Sequence, residues 1–158
     1  MHIIATTRFN TKTWNENERW RETNNFKGCI YNTPKQNNIN ILPNAPMFIL
    51  EMNNDENKIK GVGLIKNAIV IEKPIKIYDD RNYNRYTYRS NYRIDRSTIT
   101  TEEEKIFKIF DVLLFKGSRH MKRGQGITSI PLWISKNKHI DFIAFFRELF
   151  VKYFIDVK

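Results

Sequence analysis

One segment, a short apolar run followed by a strand that carries glycines, constrains the fold most strongly. The run Met47–Met52 is followed by the polar turn "NNDEN" and by a second arm that extends over residues 58–71. Two runs of strand composition around a short polar turn predict a β-hairpin. Gly61 and Gly63 in the second arm indicate a β-bulge or the close approach of another backbone. The sequence therefore predicts a sheet that contains this hairpin.

The remaining segments predict an α+β domain. Further strands are expected at "HIIATT" (residues 2–7) and "GCIYNTP" (residues 28–34), and a loop or edge strand is expected at "KPIKIYDD" (residues 73–80). Helices are expected at residues 13–25, 100–117 and 138–154. Thr13 with Glu16 forms a candidate capping box, and Gly117 is a candidate helix stop. With 158 residues, no repeat and no linker, residues 1–158 are expected to form a single domain.

Composition excludes several classes of protein. Hydrophobic residues make up 41% of the chain, which suffices for a packed core. No apolar run approaches the roughly 20 residues of a membrane span, and the N-terminus lacks the basic start and apolar stretch of a secretory signal. Cys29 is the only cysteine, so no internal disulfide forms. We expect an intracellular protein, cytoplasmic or nuclear, in a reducing compartment.

The net charge of +10 is concentrated in two segments. Residues 81–96 hold five arginines and one aspartate, and residues 116–123 hold four lysines or arginines and no acid. Each segment contributes +4, so together they supply eight of the ten net charges. Since an ordinary protein surface mixes charges of both signs, this clustering favours a polyanionic partner. We expect both segments to lie on one contiguous surface.

The first basic segment, "RNYNRYTYRSNYRIDR", interleaves arginines with tyrosines. As a helix it would stack four arginines at every fourth position, where like charges repel. As a strand, its period of two separates the two residue types. We predict one half-buried strand with Tyr86, Tyr88 and Tyr92 packed inward and with Arg85, Arg89 and Arg93 outside.

No constellation typical of an enzyme is present. One cysteine and three scattered histidines do not form a closed zinc site. Ser118 and His120 lie two residues apart without an orienting acid. The segment "GQGITS" lacks the lysine of a phosphate-binding loop. We expect no catalytic activity, no metal and no cofactor.

Binding of nucleic acid has better support. Arginine presents a planar fork of donors to phosphate, exposed aromatic rings stack on bases, and the glycines of "KRGQG" allow backbone N–H groups to approach an anion. Candidate backbone-binding residues are Arg85, Arg89, Arg93, Arg119, Lys122 and Arg123.

Structural explanations compete with this interpretation. Basic residues after the helix that ends near Lys116 also stabilise the helix dipole. A tyrosine face is more often core than a base platform, and Trp133 after Pro131 is more often a packing residue than a ligand contact. Of Trp14 and Trp20, which lie on different faces of the first helix, we expect one to be buried.

The order of segments resembles the PUA-like superfamily, and most closely its YTH and EVE domains. "GCIYNT" stands where YTH domains carry a Gly-x-Trp-Ser-Thr-like segment, with Tyr31, Asn32 and Thr33 at the Trp, Ser and Thr places. "KRGQGITSIP" resembles their phosphate-binding Arg-x-x-Gln-like segment, with Arg123 and Gln125 one residue closer together. The resemblance covers most of the chain.

The resemblance implies a small twisted β-barrel flanked by about three helices, which inserts one base, often methylated, into an aromatic pocket. A second cage tryptophan has no counterpart, and Tyr83 or Tyr78 would substitute for it. The pocket residues would be Tyr31, Asn32, Thr33, Trp14 and Tyr83, and Gln125 would join the backbone-binding set.

We therefore expect a monomeric nucleic-acid reader, with single-stranded RNA favoured over DNA, that holds one base or cap nucleotide. Two alternatives stay open. One is a structural or protein-interaction module with a basic surface, in a virion or ribonucleoprotein complex. The other is a nuclease or base-processing enzyme, which the missing acidic metal ligands disfavour.

Overall fold

A computed structural model describes residues 2–38, 40–71 and 75–157. The strands in these ranges are β1 (Ile3–Phe9), β2 (Cys29–Thr33), β3 (Pro46–Asn53), β4 (Lys58–Lys66), β5 (Tyr86–Ser90), β6 (Tyr92–Asp95) and β7 (Thr128–Ser129). The helices are α1 (Thr11–Thr23), α2 (Thr101–Phe115), the single turn α3 (Leu132–Ser135) and α4 (Phe142–Tyr153). The α+β class predicted from the sequence is confirmed. Lys73 and Pro74 of the predicted loop at residues 73–80 lie outside the described ranges.

The predicted hairpin lies in a five-stranded sheet with the order β6-β4-β3-β1-β7. Strands β1 and β3 are parallel, and the other neighbours are antiparallel. The register of β3 and β4 shifts between Glu51 and Met52, which confirms the bulge near Gly61. The second arm ends at Lys66, earlier than predicted. There the side chain of Asn67 turns the chain by donating to the carbonyl oxygens of Ile41 and Leu42, both at 3.1 Å.

Strands β2 and β5 form a separate two-stranded ribbon. The Ser90 hydroxyl at the end of β5 donates to the carbonyl oxygen of Leu64 in β4 and so joins the ribbon to the larger sheet. Across the described residues, the strands form these two sheets and not one closed ladder. The barrel closure implied by the family resemblance is therefore not seen.

The central sheet is buried on both faces. Successive side chains of a strand point to opposite faces, and in β3 both alternating sets contain apolar residues. Phe48 and Leu50 of β3 point to one face, where they join a core that contains Phe107 and Phe110 of α2 and several residues of α4. Met47 and Ile49 point to the other face and pack with apolar residues of the ribbon and α1. The molecule thus has three layers: helices α2 and α4, the central sheet, and the β2–β5 ribbon with α1.

The first basic segment (residues 81–96), which we call the Arg–Tyr segment, does not form the single strand that we predicted. Residues 81–84 form a 3₁₀ turn, β5 pairs with β2, and β6 pairs with β4. The chain passes from the ribbon to the central sheet at Asn91, directly after the hydrogen bond from the Ser90 hydroxyl to β4. The arginines therefore share no continuous outer face, and Arg93 lies in the core.

The helix ends agree with the sequence signals in part. Thr100 and Glu103 form the capping box of α2, and Gly117 follows that helix at a φ of +77°, as a helix stop requires. Helix α1 begins two residues before the predicted Thr13, because Asn10 is its cap and accepts from the Thr13 N–H at 2.8 Å.

A buried ion pair joins β3 to β6 across β4. The Arg93 guanidinium donates to both carboxylate oxygens of Glu51, the shortest distance being 2.7 Å, and the two side chains are only 6% and 3% exposed. The Tyr31 hydroxyl donates to the same carboxylate at 2.7 Å. A Cβ atom at Gly61 would lie 2.8 Å from Arg93 Nη2, so the glycine leaves the space for this pair. Burial opposes the charge of Arg93, but Glu51 raises the pKa of the guanidinium above its usual value.

Removal of Arg93 should destabilise the fold strongly. We expect Arg93→Ala to lower the free energy of unfolding by about 3–5 kcal/mol, because Glu51 would stay buried without a cation. Urea denaturation measures this change. Arg89→Ala, which removes an exposed arginine nearby, is the control and should stay within about 0.5 kcal/mol of the parent. The double variant Glu51→Ala with Arg93→Ala should cost less than the sum of the single changes. Strict additivity would contradict the pairing.

Candidate nucleic-acid interface

A polar pocket of about 230 Å³ opens where the end of β1, the start of α1 and the end of β2 meet the loop that precedes β7. Its lining residues are Thr7, Arg8, Phe9, Asn10, Thr13, Asn32, Pro34, Asn54, Tyr78, Tyr83, Lys122, Gly124, Gln125 and Gly126. The lining thus contains two cations and three aromatic side chains but no carboxylate. Such a combination suits a flat, polar ligand that carries negative charge nearby.

Two of the five predicted pocket residues, Asn32 and Tyr83, line this pocket. Tyr83 is 39% exposed, so its ring is accessible to a ligand. The Asn32 side chain is already engaged: its amide donates to the Ile75 carbonyl at 2.7 Å and to Asn84 Oδ1 at 3.0 Å, and its oxygen accepts from Thr87. Asn32 therefore positions the 75–84 segment, and with it Tyr83, and does not offer free hydrogen-bonding groups.

The other three predicted pocket residues lie in the core. Tyr31 is 2% exposed and bonds Glu51, and Thr33 is buried and donates to the Lys35 carbonyl at 2.7 Å. Trp14 is 7% exposed and packs edge-on against Phe9 at 5.2 Å. Their place in the pocket was inferred from the family resemblance. The structure does not place them there, because every residue of β2 is buried, Tyr31 and Thr33 included, and Trp14 of α1 packs into the core against Phe9.

Arg8 is the residue of the pocket that sequence reasoning missed. Its guanidinium donates to Thr6 Oγ1 at 2.8 Å, to the Met121 carbonyl at 3.2 Å, to the Gly126 carbonyl at 2.6 Å and to Thr128 Oγ1 at 2.9 Å. All of these acceptors are neutral. Burial lowers the pKa of Arg8 to about 10. The only signal for Arg8 in the sequence is its position at the end of a buried strand, just before the residue that caps α1.

Two buried polar atoms of the lining residues lack a partner among the described residues. These atoms are Nε of Arg8, a donor, and Oδ1 of Asn54, an acceptor. The amide of Asn54 donates to the Lys122 carbonyl at 2.9 Å. Asn54 therefore also holds the basic loop, by which we mean residues 116–127 between α2 and β7. These two atoms are themselves buried, and because unpaired buried polar groups cost free energy, they lower the stability of the fold around the pocket.

The basic loop supplies the other side of the pocket. Lys122 and Gln125, both predicted to bind the backbone, line it, while Arg123 is exposed beside them. A Cβ atom at Gly124 would lie 2.8 Å from the Arg8 guanidinium carbon, so the loop packs closely on Arg8. The Asp55 carboxylate accepts from the Thr11 N–H at 2.7 Å and lies within the influence of the Lys122 charge. The Thr11 bond and the lysine both lower its pKa.

The predicted arginines divide into two groups. Arg85, Arg89 and Arg119 are exposed, whereas Arg93 lies in the buried pair with Glu51. Tyr83, two residues before Arg85, lines the same pocket as Lys122, so the two basic segments meet there. The expected continuous surface does not extend to Arg93, because that side chain points into the core.

Comparison with known proteins gives no relative: no family model, no curated protein and no solved structure matches the chain. None of the helices described is both long and apolar enough to cross a membrane. No group of three or more His, Cys, Asp or Glu residues that could hold a metal ion occurs in the part of the chain described.

Arg8 should control the order of the basic loop. We expect Arg8→Met to lower stability by about 1.5–3 kcal/mol, because buried acceptors lose a charged donor. The backbone amides of residues 121–128 should then exchange hydrogen faster. Hydrogen exchange followed by mass spectrometry measures this. Arg19→Met, at an exposed position of α1, is the control. Unchanged exchange in the loop would show that Arg8 does not hold it.

Proposed function

We propose that this chain is a nucleic-acid reader, with single-stranded RNA as its preferred ligand, that takes one base or cap nucleotide into the polar pocket. The observation that carries the proposal is the pocket itself: aromatic side chains, two cations and no carboxylate surround a space beside an exposed basic loop. This combination serves both halves of a nucleotide, since rings stack on the base and cations contact the phosphate.

The size of the pocket limits the ligand. A volume of about 230 Å³ lies below the roughly 300–1,000 Å³ of pockets for drug-sized molecules. It suits a single flat ring system better than a dinucleotide. The rest of an oligonucleotide would then remain outside, where Arg123 and Arg85 are exposed.

The resemblance to PUA-like domains of the YTH and EVE type supports the same function. In the resemblance, the base enters beside the segment that follows the first helix, and here Asn32 of β2 contributes to the pocket wall. The aromatic contacts come from different residues than the resemblance implies. Tyr83 at the rim takes the place of Tyr31 and Trp14 as the ring that a base can reach, while Tyr78 is 4% exposed and contributes only to the wall.

Methylation of the base would strengthen binding through two effects. A methyl group gains free energy when it packs against rings where water is excluded. A cationic methylated base, such as a cap guanine, gains further through attraction to the ring faces. Tyr83 is the ring best placed for such contacts because it is exposed at the pocket.

Loss of the Tyr83 ring should affect the preferred base selectively. Tyr83→Ala should cost about 1–3 kcal/mol on the best oligonucleotide and little on others. Because Tyr83 is 39% exposed, the melting temperature should change little. Binding curves on oligonucleotides that carry adenine, N6-methyladenine or a 7-methylguanosine cap measure the effect, and Tyr83→Phe is the matched control that keeps the ring. Tyr31→Ala should instead lower the melting temperature and all binding together. A folded Tyr83→Ala protein that discriminates as the parent does would exclude this pocket.

Loss of Arg123 should weaken every oligonucleotide about equally. The side chain is exposed beside the pocket, so its expected partner is a phosphate. Arg123→Ala should lower the slope of log K against log salt by roughly one. Titrations at several salt concentrations measure this, with Arg19→Ala as the control. A loss confined to one base would contradict a phosphate contact. A parent protein whose binding hardly depends on salt would favour the alternative, a protein-interaction module.

A further inference from the structure

A second aromatic and basic surface lies on the chain next to the pocket loop. Residues 112–140 contain six lysines or arginines and no aspartate or glutamate. Within this stretch, one shallow surface cleft is lined by Val112, Leu113, Lys116, Gly117, Ser118, Arg119 and Trp133. We call these residues the Trp133 patch.

The fold does not use Trp133 as a core residue. In the single turn α3, Ile134 is buried in the core between the central sheet and helices α2 and α4. Trp133 is 43% exposed and Leu132 is 69% exposed. Ile134 thus anchors the turn and leaves the indole at the surface. Trp133 therefore lies at the surface and not in the core.

Arg119 stacks on this indole. Its guanidinium carbon lies 5.2 Å from the ring centroid. A guanidinium is planar and can stack on a nucleobase as well as on a ring, so tryptophan and arginine together form a platform for bases. Lys116, which lines the same cleft, supplies a cation for phosphate.

We propose that the Trp133 patch is a second RNA subsite, on which a nucleotide that flanks the pocket base stacks without sequence preference. The inference rests on the proposed function. Continuity supports it, because Arg119 and Lys122 belong to one loop, and Lys122 lines the base pocket. Charge supports it as well: a cleft lined by two cations and no acid is complementary to a phosphate backbone. RNA long enough to reach the patch gains affinity, and a mononucleotide does not.

A length series tests the subsite. The probes are labelled oligoadenylates from a mononucleotide to a dodecanucleotide, and their affinities are measured by fluorescence anisotropy. Trp133→Ala should lower the affinity of the longest RNA about five- to 150-fold and leave the mononucleotide unchanged. Trp133→Phe should retain most of the affinity. Arg119→Ala, at an exposed loop position, should show the same dependence on length and provides a second test if Trp133→Ala perturbs folding.

The controls separate this inference from the proposed function. On a matched series in which each probe carries the preferred base, Tyr83→Ala should weaken every length, because it alters the pocket, while Leu132→Ala should change none, because Leu132 offers no ring. If Trp133→Ala and Arg119→Ala weaken all lengths equally, or weaken none although the parent binds RNA, the second subsite is excluded and the pocket stands. If Leu132→Ala costs as much as Trp133→Ala, the patch is an apolar contact surface and the inference fails. If the parent binds no RNA of any length, both proposals fail.

Discussion

The buried ion pair between Glu51 and Arg93 joins strands of the central sheet and contacts the ribbon through Tyr31. Glu51 lies in β3 and faces the ribbon, where a carboxylate without a partner would be costly to remove from water. Arg93 reaches it from β6 because β4 places Gly61 between them, and Tyr31 of the ribbon adds a hydrogen bond. The pair itself lies within the five-stranded sheet, and the Tyr31 bond connects it to the ribbon, so the ribbon adds a hydrogen bond to a charge that the central sheet already neutralises.

The pocket depends on a second arginine that joins distant parts of the chain. Arg8 at the end of β1 holds carbonyl oxygens of Met121 and Gly126, and Asn54 after β3 holds that of Lys122. The loop that contains these three residues is thereby fixed against the central sheet. Fixing the loop in advance matters for binding, because a cation that is already positioned loses less entropy when a ligand arrives.

Short sequence patterns predicted those parts of the fold that interactions between neighbouring residues determine. The β3–β4 hairpin, the glycines of β4 and the capping box of α2 follow from turn chemistry and capping. Asn32, Tyr83, Lys122 and Gln125, which the sequence analysis placed in one site, line one pocket. Arg93 was misplaced because its partner, Glu51, lies 42 residues away, and no periodicity reports such a pairing. Arg8 was not predicted for the same reason: apart from Thr6, its hydrogen-bond acceptors lie more than 100 residues away in the sequence.

The structure changes what the clustering of charge means. In the Arg–Tyr segment, Glu51 neutralises Arg93, while Glu104 and Asp111 neutralise Arg96, each at 2.8 Å. Part of that cluster is therefore structural and offers no field to a ligand. The stretch from residue 112 to residue 140 differs, because it contains no acid and its six cations all lie outside the helices and strands. Arg119 and Arg123 are exposed, and since like charges on one surface repel, a polyanion bound at these cations would lower their mutual repulsion.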